Sequence, residues 1–209
     1  NIKKDNIVVC ADGAATVVPG QIGYVKKGVN LILNSGSASM GYDLPAVVGV
    51  GTNSKKKIIC LAGDGSIMMN LQELQTIKNM NLDVIIFILN NKGYLSIKQT
   101  QKNFFGNEYG ASPGSNLSFP NFKKISHSFG IKNYSISLNN YKKKIVNILD
   151  KKGPIICEVI LDTKQEFEPK LKSRFSKGKI VTPELDDMYP FLDNKIFKEI
   201  KKKLIEYTK

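Results

Sequence analysis

Short apolar runs alternate with segments of helical period along most of the chain. Ile7-Val8-Val9-Cys10, Ile58-Ile59-Cys60-Leu61, Val84 to Leu89 and Ile155 to Leu161 are apolar, Glu158 excepted, with little alternation. That is the pattern of strands covered on both faces. Asn133 to Ile136 is a weaker strand candidate. Helical patterns fall at about 43–52, 70–80, 94–102, 120–129 and 141–151, and a last one spans 194–207. The order strand, helix, strand, helix predicts an α/β fold, a doubly wound and mostly parallel sheet with helices on both faces. Two stretches break the rhythm. Residues 105–118 are rich in Gly, Ser, Asn and Pro and read as a long surface loop of the kind that often carries function. Residues 165–190 are polar, contain Pro169, Pro183 and Pro190, and show no period. Residues 1–192 are expected to form one domain in which 165–192 wraps over the domain or a neighbour, and 193–209 should add a C-terminal helix to it.

Charge changes this picture little. The 209 residues carry 31 Lys plus Arg against 18 Asp plus Glu, a net charge of +13. Such an excess points toward a polyanion. Only Arg174 is arginine, however, so the bidentate fork suited to bases and phosphates is nearly absent. The lysine runs at 55–57, 142–144, 151–152 and 201–203 have no aromatic platform between them and read as solvated faces. No nucleic-acid partner is expected, and no membrane partner either, because no apolar run reaches the roughly 18 residues of a span. Cys10, Cys60 and Cys157 fall in or at the end of apolar runs, as reduced core thiols of a cytoplasmic protein would. The single histidine, His127, and the lack of any Cys-x-x-Cys argue against a zinc site. The start at Asn1, with neither Met nor a signal core, reads as a chain cut from something longer.

The densest chemistry lies between residues 58 and 94. One buried strand ends in Ala62-Gly63-Asp64-Gly65-Ser66, an amphipathic helix follows, and a second buried strand ends in Asn90-Asn91-Lys92-Gly93-Tyr94. In an open α/β sheet both turns lie at the carboxyl edge, where ligands bind. If the two strands are neighbours, Asp64 and Asn91 converge. One carboxylate, one amide oxygen and a backbone carbonyl suit Mg²⁺ shared with phosphate better than an all-protein calcium cage. Gly63 and Gly65 allow close backbone approach, and Ser66 with the amides opening the next helix can hold phosphate oxygens.

Gly63-Asp64-Gly65-Ser66 with Asn90-Asn91 resembles the thiamine diphosphate signature in the pyrophosphate-binding domain of acetolactate synthases, pyruvate decarboxylases and their relatives. Ser37-Ala38-Ser39-Met40-Gly41-Tyr42-Asp43-Leu44-Pro45-Ala46 is similar to the Gly-x-Met-Gly-x-x-Leu-Pro-Ala segment of that superfamily. Residues 169–174 and 185–192 resemble the ends of bacterial acetolactate-synthase-like proteins.

The resemblance implies a thiamine diphosphate-binding fold, with Asp64 and Asn91 as side-chain Mg²⁺ ligands and Gly93 giving a carbonyl. It puts Gly65 and Ser66, with Gly13, Ala14, Gly63 and Tyr94, around the cofactor. Met40 would prop the cofactor in its bent form, and Ala38 would offer its carbonyl to the aminopyrimidine, although the family has Gly there. Acetolactate synthases have Gln and His after the Gly at 13, where this chain has Ala14 and Ala15; polar contacts are lost. Ile97 stands where related pyruvate decarboxylases have Glu. An apolar wall there disfavours simple protonation after decarboxylation and favours transfer to a second carbonyl compound. The implied protein is a lyase or transferase acting on a small 2-keto acid, as a homodimer or homotetramer. The implied partner is a pyrimidine-binding domain or subunit carrying the activating Glu. A 2-keto acid decarboxylase that releases aldehyde and a non-catalytic cofactor-binding module are the alternatives.

Overall fold

In the computed structural model, residues 2–166, 168–176 and 178–207 are described. Of the segments considered above, Asn1, Phe167, Lys177, Thr208 and Lys209 lie outside the described residues. The chain divides into two compact units, Asn1–Gln165 and Glu166–Lys209.

The apolar runs become the strands of one six-stranded sheet in the first unit. They are β1 (Ile7–Cys10), β2 (Asn30–Leu33), β3 (Ile58–Gly63), β4 (Val84–Asn90), β5 (Lys132–Ile136) and β6 (Ile155–Ile160). All five pairings are parallel, in the order β2-β1-β3-β4-β6-β5. A parallel sheet needs crossovers, and helices supply them: α1 (Ala14–Ile22), α2 (Asp43–Asn53), α3 (Glu73–Asn79), α4 (Leu95–Phe105), α5 (Phe122–Ser128) and α6 (Tyr141–Leu149).

Alternate strand residues feed two cores, which is why these strands show almost no polar position. On one face Val9, Cys60, Ile86 and Ile156 pack with Leu44 and Val47 of α2, Leu74 and Ile77 of α3 and Phe122 of α5. On the other face Val8, Ile59, Ile85 and Cys157 pack with Ile148 of α6. The three cysteines are free and buried. Burial pushes the thiol of Cys10 up to about 11 and that of Cys157 up to about 12, so neither is a nucleophile near neutral pH.

In this unit sequence periodicity missed one helix and one strand. Helix α1 contains Pro19 and Gly20, residues that ordinarily break helices, and β2 is a four-residue strand at the sheet edge with no fully buried position. The helix expected over 70–80 is divided into a 3-10 turn, Ile67–Asn70, and α3. The loop 105–118 is less detached than its composition suggests, because Ala111 is buried and Pro113–Ser115 forms a 3-10 turn.

The second unit holds an antiparallel hairpin, β7 (Arg174–Ser176) with β8 (Lys179–Val181), and the helix α7 (Asn194–Tyr207). Polar contacts knit it together. Arg174 pairs with Asp187 at 3.0 Å and lies 4.5 Å from the centre of the Phe191 ring, and Lys201 bridges Glu184 and Asp186 at 3.2 and 2.9 Å.

Candidate functional site

The strand order reverses direction at the centre of the sheet: β1 leads outward to β2, whereas β3 leads the other way to β4. A crevice opens where the loops after two such neighbouring strands part. The Asp12-Gly13 turn after β1, the Gly63-Asp64-Gly65-Ser66 turn after β3 and the Asn90-Asn91-Lys92-Gly93 turn after β4 all lie on this carboxyl edge.

Because β3 and β4 are paired, with Gly63 opposite Leu89, the Gly-Asp-Gly and Asn-Asn turns do meet. The amide of Asp64 donates to the Leu89 carbonyl at 3.3 Å, and the amide of Gly93 donates to Asp64 Oδ2 at 3.2 Å. Asp64 is only 2 % exposed. Burial pushes its carboxyl up to about 6, although amides of Gly93, Lys92, Gly65 and Asn91 pull the other way. No Lys or Arg pairs with it among the described residues. A buried carboxylate facing backbone amides and lacking a cationic side chain is suited to a cation delivered by a ligand. No cluster of three or more His, Cys, Asp or Glu exists among the described residues, so any metal here must take amide or carbonyl oxygens as well.

The glycines of both turns have identifiable neighbours. A Cβ on Gly93 would come within 2.4 Å of the Ala111 carbonyl, which also accepts the Tyr94 amide at 3.0 Å. The long loop is thus seated directly on the Asn-Asn turn. A Cβ on Gly65 would lie 2.1 Å from Cε1 of Tyr94, so the Tyr94 ring fills that space and in turn meets Phe119 edge-on at 5.6 Å. Asn90 braces the turn from the side: its amide group donates to Glu158 on β6, and its Oδ1 accepts the Lys92 amide at 3.1 Å. A cleft of about 250 Å³ lined by Asn91, Lys92, Gly93, Lys98 and Ser112 opens beside it.

The 37–46 segment joins the same place through Ser66. The Gly41 amide donates to Ser66 Oγ at 2.9 Å, and Asn70 Nδ2 donates to the Gly41 carbonyl at 2.8 Å. Met40 is half-buried beside this turn, and Ala38 is exposed. Gly13 caps α1 at φ 54°, ψ −133°, a conformation open to glycine almost alone, and a Cβ there would lie 3.8 Å from Ser96 Oγ. Ala14 opens α1, while Ile97 lies in the first turn of α4 and is 41 % exposed. The strand ends therefore bring Gly13, Gly41, Gly63 to Ser66 and Asn91 to Tyr94 to one edge.

Residues 12–159 match the family model described as the thiamine pyrophosphate enzyme C-terminal TPP binding domain. The chain belongs to this family. Among its relatives, the acetolactate synthase large subunit of Cyanidium caldarium is 36 % identical over 138 residues, 65 % of this chain and 23 % of the relative. That of Porphyra purpurea is 34 % identical over 137 residues, covering 64 % and 23 % of the two chains. The isozyme 1 large subunit of Escherichia coli K12 is 29 % identical over 170 residues, covering 79 % and 30 %. The chain thus spans less than a third of the length of these relatives. The all-parallel α/β sheet is the thiamine pyrophosphate-binding fold expected from the sequence. No helix among the described residues is long and apolar enough to cross a membrane.

Two site residues escaped the sequence reading. Asp43 and Asn70 stand at the starts of the helical patterns 43–52 and 70–80, a common place for an acid or amide, and only the tertiary structure turns them onto Ser66 and Gly41. Ala38 carries a different lesson. Its φ of +48° lies in the left-handed region, where an L side chain costs about 1–2 kcal/mol. Ala38→Gly should therefore stabilise the chain by about 0.5–1 kcal/mol after the extra flexibility of glycine in the unfolded state is subtracted. The midpoint of urea unfolding measures it, and an unchanged or lower midpoint contradicts it.

Proposed function

We propose that the chain binds thiamine diphosphate with Mg²⁺ as part of an acetolactate synthase-like enzyme. That enzyme would decarboxylate a small 2-keto acid and transfer the acyl anion equivalent to a second carbonyl compound. The observation that carries the reading is the buried Asp64 carboxylate, without a cationic partner among the described residues, facing the Asn91-Lys92-Gly93 turn at the switch-point crevice.

Asp64, Asn91 and the Gly93 carbonyl would hold the metal, a low-charge oxygen set that leaves positions for diphosphate oxygens. Backbone amides of Gly65 and Ser66 and the opening turn of α1 at Gly13 and Ala14 would face the diphosphate. Met40, half-buried beside Gly41, would support the cofactor's shape, and the Ala38 carbonyl would meet its aminopyrimidine. When bound, thiamine diphosphate supplies an electron sink for the carbon left by loss of CO₂. Ile97 presents an aliphatic side chain where a proton donor would be needed to end the reaction at an aldehyde, which favours transfer over release. Met69 and Ile97 expose 51 % and 41 % of their surface at the carboxyl edge, as apolar groups awaiting a covering partner would. A pyrimidine-binding domain or subunit fits that place, within a homodimer or homotetramer.

Calorimetric titration of the chain tests the reading. Thiamine diphosphate should bind with Mg²⁺ present and bind at least 10-fold more weakly in EDTA, and pyruvate turnover should require an added pyrimidine-binding domain. Metal-independent binding, or brisk turnover by the chain alone, would count against it.

A further inference from the structure

Asp43 is fully buried at the first residue of α2, inside an otherwise apolar core. A carboxylate in that position needs strong partners, because an unpaired one costs several kcal/mol. It has two. Asp43 Oδ1 accepts the Leu44 amide at 2.9 Å, and Oδ2 accepts the Ser66 hydroxyl at 2.6 Å, a distance typical of a charge-assisted O–H···O⁻ bond. The same Ser66 oxygen accepts the Gly41 amide at 2.9 Å. A hydroxyl has one proton to give, and here it is given to Asp43.

We infer that Asp43 is a positioning residue that fastens the Met40-Gly41 turn to the Gly63-Asp64-Gly65-Ser66 turn through the Ser66 hydroxyl. The hydroxyl then contributes no proton to a phosphate, and Ser66 meets the diphosphate through its backbone amide alone. The two turns hold different parts of the cofactor in the reading above, on which this inference rests: the Gly-Asp-Gly turn holds metal and diphosphate, and the Met40 turn supports the organic part. A chain of Gly41 amide, Ser66 oxygen and Asp43 carboxylate fixes the spacing between them. Asn70 closes the arrangement from the other side by donating to the Gly41 carbonyl.

This predicts a separation between two ligands that a direct phosphate contact would not give. In the full chain with Mg²⁺, Ser66→Ala and Asp43→Asn should each weaken thiamine diphosphate about 10-fold, while inorganic pyrophosphate keeps its affinity within about 2-fold. The double variant should be no worse than the weaker single one, since both act through one hydrogen bond. Equal losses for both ligands would assign the Ser66 hydroxyl to the diphosphate and overturn the inference. Additive losses would overturn it too. If Asp43→Asn does not fold, Ser66→Ala alone decides between the outcomes by its ratio of losses. A wild-type chain that binds pyrophosphate but not thiamine diphosphate defeats the functional reading itself, a result distinct from equal losses in the variants.

Discussion

Asp64→Asn should abolish Mg²⁺-dependent binding of thiamine diphosphate, a loss of at least about 100-fold, while changing how the metal-free chain responds to pH. The Asp64 carboxyl is pushed up to about 6 because burial outweighs the four amides that favour its charge. The folded chain therefore holds this proton at pH values where the unfolded chain has released it. Its contribution to stability is fully present below about pH 4 and is lost as pH rises through about 6. Two pKa units correspond to about 3 kcal/mol. Compared by urea unfolding without metal, Asp64→Asn should gain about that much on wild type between pH 4 and pH 7, whatever the offset at pH 4. A constant difference across that range would show that the charge is not what the folded chain finds costly. Above pH 6, Mg²⁺ with thiamine diphosphate should raise the Tm of wild type and leave that of the variant in place.

Gly41→Ala should be strongly damaging, because it combines a left-handed backbone with crowding. Gly41 has φ +80°, and a Cβ there would lie 2.6 Å from Met69 Cβ and 2.8 Å from Asn70 Nδ2. The left-handed backbone alone costs about 1–2 kcal/mol for an L residue, and displacing the 3-10 turn that carries Met69 and Asn70 adds about as much again. A total loss near 3 kcal/mol in urea unfolding is expected, accompanied by weaker binding of thiamine diphosphate because the Gly41 amide leaves Ser66. A loss below about 1 kcal/mol would mean that the turn adapts. The contrast with Ala38, three residues earlier, is instructive: at 38 glycine is the better residue, at 41 the required one.

The central sheet was legible because β3, β4 and β6 are mostly buried on both faces and so are written as apolar runs, with Glu158 the charged exception in β6. Once β3 and β4 were taken as neighbours, the meeting of Asp64 with the Asn91 turn followed from the parallel register. Less of the left half could be read. In α1, Pro19 and Gly20 send the opposite local signal, and its placement depends on contacts with β1 and β3. β2 is four residues long with no fully buried position, so neither length nor alternation marks it. The links made by Asp43, Asn70 and Ala111 have no local signature at all. They join positions 23, 29 and 17 residues apart through the fold, and two of the three use a backbone group. Close backbone approach was the reason expected for glycine at 63 and 65; in the fold a Cβ at Gly65 would meet the Tyr94 ring and one at Gly93 a carbonyl of the long loop, whereas one at Gly63 would meet only ordinary contacts.

The place of β6 bears on how the molecule is made. As the last strand of the first unit it inserts between β4 and β5, and among the described residues β5 has no other neighbour. A ribosome releasing the chain would present β4 with an open edge, and β5 with nothing to pair with, until residues 155–160 had emerged. Over that interval the Asn-Asn turn would also lack its Glu158 brace. Long-range parallel pairing of this kind is slow and leaves apolar edges exposed while it waits, so that interval is when the newly made chain is most open to aggregation.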